Sequence, residues 1–184
     1  MIAMVGDGVM TLDKAYKMTV DGLRNLGWKD LALDSEKRGI NASFESRKDI
    51  WEILLSFSVE GEYEINSRSS WKIQNETSDI VQHLVQKINL SDSEHEFRMD
   101  DNGKFEVKTS AIIPDKNKFM EGIKQSIISN IHAYESYVEM LKRFVNTEPE
   151  YLKNETEDFR ALMDTELPLI ENQVEQRISL DLQK

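Results

Sequence analysis

Three histidines, His83, His95 and His132, are the side chains of this chain best suited to proton transfer or metal ligation near neutral pH. They fall on different predicted elements. None has a carboxylate or a second histidine at a ligand interval such as His-x₃-His, so a structural role is expected for each. Carboxylates are abundant, as in Glu60, Glu62 and Glu64 and again in Asp92, Glu94 and Glu96. Spacing by two puts each trio on the exposed face of a strand, where charge guards a sheet against aggregation, and nothing nearby would raise a pKa for acid or base work. Gly6-Asp7-Gly8 lacks the preceding strand and the third glycine of a dinucleotide loop. Asp100-Asp101-Asn102-Gly103 opens like a calcium loop, but Ala111 stands where the acidic twelfth ligand belongs. No Gly-x-Ser-x-Gly elbow occurs, and the absence of cysteine removes thiolate nucleophiles, thiolate metal sites and disulfides together. The chain is therefore expected not to be an enzyme, with no catalytic residue, metal ligand or cofactor.

Composition bounds the remaining possibilities. The 184 residues are 39% hydrophobic and 31% charged, which suits one domain of about 140 residues with an appendage. No apolar run approaches the roughly 20 residues of a membrane span, so no membrane is expected as a partner. Residues 1–10 hold Asp7 and two glycines with no basic region, and are expected to be a flexible N-terminus rather than a secretory signal. A reducing cytoplasm follows as the expected location, and the four Asn-x-Ser/Thr sequons are expected to be chance. The formal net charge of −11 repels phosphate backbones and disfavours nucleic acid as a partner.

Hydrophobic rhythm then orders the elements. Leu12, Ala15, Tyr16, Leu23 and Leu26 recur at helical spacing after Thr11, a suitable N-cap, and Gly27 stops that helix so that Trp28 can fold back on it. Lys29–Arg38 is too polar to assign, although Leu31 and Leu33 suit a short edge strand. From Ile40 the period becomes two: Ile40, Ala42 and Phe44 share one face, as do Trp51, Ile53, Leu55, Phe57 and Val59. Gly61 marks a turn or bulge, Tyr63 and Ile65 continue the alternation, and Trp71 with Ile73 reads as a third strand. A three-turn helix follows with Ile80, Val81, Leu84, Val85 and Ile88. Asn102-Gly103 then predicts a hairpin with a type I′ turn between Phe97/Met99 and Phe105/Val107, and Pro114 ends its second strand. Asn117 is placed to cap a helix from about Lys118 whose stripe is Met120, Ile123, Ile127, Ile131, Tyr134, Val138, Leu141 and Val145. The expected fold class is α+β, in the order α-β-β-β-α-β-β-α, with a single antiparallel sheet carrying helices on one face. Residues 11–146 form that domain, and residues 147–184 are expected to be a helical C-terminal extension broken at Pro149 and kinked at Pro168.

The second strand's opposite face, Ile50, Glu52, Leu54, Ser56 and Ser58, is half apolar, as in a sheet covered by helices on one side and by a partner on the other. The helix stripe from Met120 to Val145 is also longer than a small domain can cover. Leu54, Trp71, Tyr134, Val138 and Leu141 are accordingly the candidate partner-binding residues, and a protein partner is expected. The alternative is a small-molecule sensor or carrier with an apolar pocket between sheet and helices.

The element order and the segment Gly103-Lys104-Phe105-Glu106-Val107-Lys108-Thr109-Ser110, leading into the long helix, resemble the type III secretion chaperone-like fold, and its YbjN-type branch in particular. The resemblance covers about residues 11–146. It implies a homodimeric, non-enzymatic binding module whose sheet and helix grooves hold an extended or helical segment of another protein. The tail beyond Pro149 departs from the family pattern.

Overall fold

A computed structural model describes residues 10–145 except 46–48, 59, 74–77 and 114–116. The elements are α1 (Leu12–Asn25), β1 (Ala32–Asp34), β2 (Gly39–Glu45), β3 (Ile50–Phe57), β4 (Glu62–Ser69), α2 (Ser78–Ser91), β5 (Glu96–Met99), β6 (Phe105–Ile112) and α3 (Phe119–Val145). The six strands form one antiparallel sheet in the spatial order β1-β2-β3-β4-β6-β5. The α+β class and the helices at either end of the order are as expected, with four strands rather than three between α1 and α2. The expected N-terminal segment, Met10 apart, and the expected extension over 147–184 lie outside the described residues.

Local chemistry sets the boundaries. Thr11 caps α1 by accepting from the backbone N–H of Lys14, and Asp13 stands in the positive first turn. At the other end Gly27 takes a left-handed φ of 92°, its N–H donating to Arg24 while the N–H of Trp28 reaches Leu23. This paired ending satisfies two helix carbonyls and lays Trp28 beside the core.

Two strand expectations are corrected. The alternation over Trp51–Ile65 is not one strand with a bulge: Gly61, at φ 83°, lies in a turn that reverses the chain from β3 into β4, which then runs on to Ser69. Trp71 and Ile73 are not a strand. Ser69 closes β4 by donating its hydroxyl to the Trp71 carbonyl and accepting from the N–H of Phe105, after which Ile73 crosses the far hairpin and donates to the Gly103 carbonyl. Their two-residue alternation reflects burial at a crossing, which strand periodicity alone does not distinguish. The β5–β6 hairpin itself forms where expected with a different turn. Gly103 is left-handed at φ 75° but Asn102 is not, so Asp101–Gly103 make a three-residue loop instead of a type I′ pair. The Asp100 side chain selects it by accepting from the N–H groups of Asn102 and Lys104.

The inner face of the sheet carries Ile40, Trp51, Ile53, Leu55, Tyr63, Ile65, Val107, Phe105 and Phe97, all buried. Against it lie α3, crossing β4 and β6, and α2, beside β5, with α1 packed on α3. Asn130 of α3 pins the layers: its amide donates to the carbonyls of Ile65 and Val107 and to Thr109, and its oxygen accepts from Ser67. Fully covered polar groups are tolerated when so completely paired.

Candidate functional site

The described helices all serve the inner face, and the register fixes what the outer face presents. Three cross-strand rows matter. Asn41, Leu54, Asn66, Lys108 and Glu96 form one; Ser43, Glu52, Arg68, Glu106 and Arg98 form the next; Glu45 and Ile50 form the third.

Charge divides this face into two halves. On β4, β6 and β5 the cations are internally matched, while Glu62 and Glu96 are exposed with no ion pair among the described residues. Arg68 and Arg98 both direct Nε at the Glu106 carboxylate, whose side chain is 1% exposed, and Lys108 pairs with Glu64 at 2.7 Å. Arg68 also faces Asp100 at 3.9 Å, and no ion pair joins it to Glu52 across the strands. On β2 and β3 the side chains of Glu45 and Glu52 are exposed with no ion pair among the described residues. Between and beside them stand Ile50, 53% exposed, and Leu54, 40% exposed. The carboxamide oxygens of Asn41 and Asn66, which flank Leu54, are covered yet have no hydrogen-bond partner among the described residues. Each such acceptor costs about 1–3 kcal/mol when left unmatched.

A cleft of about 380 Å³ opens at the β2 end of the sheet, between Gly27–Leu31 and Ala42–Glu45. β1 pairs only with Gly39–Asn41, so the chain from Trp28 to Leu31 stands off the rest of β2 and leaves this gap. Trp28 and Phe44 meet edge to face in it at 4.7 Å.

Of the five residues picked from sequence, Leu54 is on the open face. Tyr134, Val138 and Leu141 are buried in the inner layer, where Tyr134 stacks on Trp51 and also meets Phe105. Trp71 is partly buried, stacked at 6.4 Å on Phe105, and donates its indole N–H to Asp49. Asp49 joins three elements, since the same oxygen accepts from the Tyr134 hydroxyl and its partner oxygen accepts from Lys142. The stripe positions Ile123, Ile127, Tyr134, Val138 and Leu141 are thus buried within the fold.

The fold also assembles a constellation that sequence spacing conceals. Asp92 accepts from Nδ1 of His95 at 2.9 Å, and Nε2 of His95 meets the Ser129 hydroxyl at 2.9 Å. These are the distances of a nucleophile, base and orienting carboxylate. Here the His95 side chain is 2% exposed, and the three residues tie the α2–β5 loop to α3. Burial opposes ionisation of Asp92, but the His95 contact and the backbone N–H groups of Glu94 and His95 outweigh it and hold the carboxyl below its ordinary value. Asp92 and Glu94 therefore lie in a loop, and Glu60 in a turn, so neither carboxylate trio is the strand face expected. His83 is exposed on α2 and does not join His95. Among the described residues no cluster of His, Cys, Asp and Glu is arranged to hold a metal, and no helix is long and apolar enough to cross a membrane.

No family model and no curated protein matches the chain. Solved structures similar to it include the following two. The first, a chain of the HopA1-SchA chaperone-effector complex, aligns with a TM-score of 0.51 at 13% identity, over 72% of this chain and 99% of that one. The second is YbjN from E. coli, with a TM-score of 0.38 at 13% identity over 60% of this chain and 81% of that one. At that identity the likeness to that chain is one of fold alone.

Proposed function

We propose that this chain is a non-enzymatic, chaperone- or adaptor-like module that holds a segment of another polypeptide against the outer face of its sheet. The observation that carries the reading is the asymmetry of that sheet. One face is sealed by α1, α2 and α3, while Ile50 and Leu54 stand exposed on the other beside Glu45 and Glu52, which have no ion pair among the described residues. The fold shared with a chain of a chaperone-effector complex supports it. Affinity would come from apolar contact and rim charge, without a polar reaction centre. Leu54 is the contact residue. Tyr134 and Trp71 act from behind the sheet, holding the start of β3 through Trp51 and Asp49, while Val138 and Leu141 fill the buried layer. The protein works in the cytoplasm as a homodimer, with neither nucleic acid nor membrane as its partner.

The cleft beside Trp28 and Phe44 favours one other reading, a small-molecule sensor or carrier, because its volume falls within the range of ligand pockets. Native mass spectrometry of the full chain purified from the cells that make it separates the two. A complex with a second polypeptide supports the binding module. A monomer carrying one stoichiometric small molecule overturns it in favour of the carrier.

A further inference from the structure

Resting on that reading, we infer that the segment docked on the β2–β3 half of the outer face belongs to a different protein and carries lysine or arginine beside apolar residues. The division of the face is the first argument. Arg68, Arg98 and Lys108 are consumed by Glu106 and Glu64 within the sheet, so on the β4–β6 half only Glu62 and Glu96, at the starts of β4 and β5, stay unmatched among the described residues. The β2–β3 half keeps Glu45 beside Ile50 in register, and Glu52 between Ile50 and Leu54, with no cation to match them among the described residues. Successive same-face residues on a strand are about 7 Å apart, so Ile50, Glu52 and Leu54 alternate apolar, acidic and apolar contacts over about 13 Å. A segment whose own apolar and basic side chains alternate fits that spacing.

Charge also decides between occupants. Residues 147–184 hold ten acidic and four basic side chains, and a second copy of the whole chain brings a net charge of −11. Both are repelled by Glu45 and Glu52, whereas a basic segment is drawn in, and such complementarity acts on specificity and on-rate.

The test is a fluorescence-anisotropy titration of the full chain with labelled twelve-residue peptides of alternating Leu-Lys, Leu-Glu and Ser-Lys. The Leu-Lys peptide should bind at least tenfold more tightly than either other peptide. Glu45→Gln with Glu52→Gln should weaken it about tenfold, while Asp21→Asn with Glu121→Gln, an equal charge change on α1 and α3, should leave it within twofold. Both double variants should unfold at the wild-type urea concentration. If Leu-Glu binds as tightly as Leu-Lys and Leu54→Asp abolishes both, the basic partner is overturned while the docking face stands. If the Asp21/Glu121 pair weakens binding as much as the Glu45/Glu52 pair, attraction to the whole acidic surface is the cause and the inference fails. If Leu54→Asp changes binding of no peptide, the inference and the docking face fall together.

Discussion

The carboxylate of Asp49 accepts the hydroxyl hydrogen of Tyr134 at 2.9 Å across 85 positions of sequence, joining the start of β3 to the middle of α3. Burial first, and the negative charge of Asp49 second, push the phenol well above its ordinary pKa. Below pH 10 the phenol is neutral in the folded and unfolded chain alike, so the contact contributes fully. Above pH 10 the unfolded chain ionises and the folded one does not, and stability falls by up to about 1.4 kcal/mol per pH unit from this group. Urea unfolding between pH 8 and 11 should show that fall in the wild type and a shallower one in Tyr134→Phe. Equal slopes would mean that Tyr134 is not sealed against Asp49.

Asp92 gives the opposite limb. Its folded pKa is depressed, so its contribution is present above the unfolded carboxylate value near 4 and is lost as pH falls through the folded pKa. Asp92→Asn should therefore be less stable than wild type at pH 6, with the difference shrinking as pH falls below 4 and closing below the folded pKa, where both carry a neutral side chain. Thermal unfolding across pH 2.5–6 measures it. A constant difference over that range would detach Asp92 from His95.

Glycine is required at 103 more than at 27. Both are left-handed, but a Cβ at Gly103 would stand 2.8 Å from the Ile73 carbonyl oxygen, whereas at Gly27 nothing lies within 4 Å. Gly27→Ala should cost about 1–2 kcal/mol, the penalty of the left-handed region alone. Gly103→Ala should cost more, because the crossing at Ile73 must also shift. Chemical denaturation of the two variants ranks them, and equal losses would show that the crossing yields freely.

Leu54 and Leu141 should separate surface from core. Leu54→Asp exchanges a side chain that is 40% exposed on the open face and should cost about 1 kcal/mol. Leu141→Ala empties a fully buried position and should cost about 2–5 kcal/mol. A large loss at Leu54 in urea unfolding would place it in the folded core and remove it from any interface.

Much of the fold was legible because its signals are local. The Thr11 cap, the Gly27 stop, the alternation of β3 and the loop before Phe105 each depend on residues a few positions apart. What misled was burial with the wrong cause. Trp71 and Ile73 alternate like a strand because they pack at a crossing, and Tyr134, Val138 and Leu141 make a long stripe that the fold itself buries. The chemistry of the site was less legible still. Asp92, His95 and Ser129 converge only after α3 packs beside β5, and the matching of Arg68 and Arg98 to Glu106 depends on register between three strands. From the sequence alone, Leu54 and Glu52 were visible as an unusual outer face, but which charges were already matched was not.

The central claim is that the outer face at Leu54 meets another polypeptide. A photo-crosslinking amino acid placed at position 54 of the full chain, and at position 90 on α2 as a control, tests it in the cells that make the protein. Leu90 is 88% exposed, so accessibility alone favours the control. The account predicts a discrete protein adduct from position 54 that position 90 does not give and that Glu45→Gln with Glu52→Gln diminishes. The same adducts from both positions, or none from position 54, would contradict it.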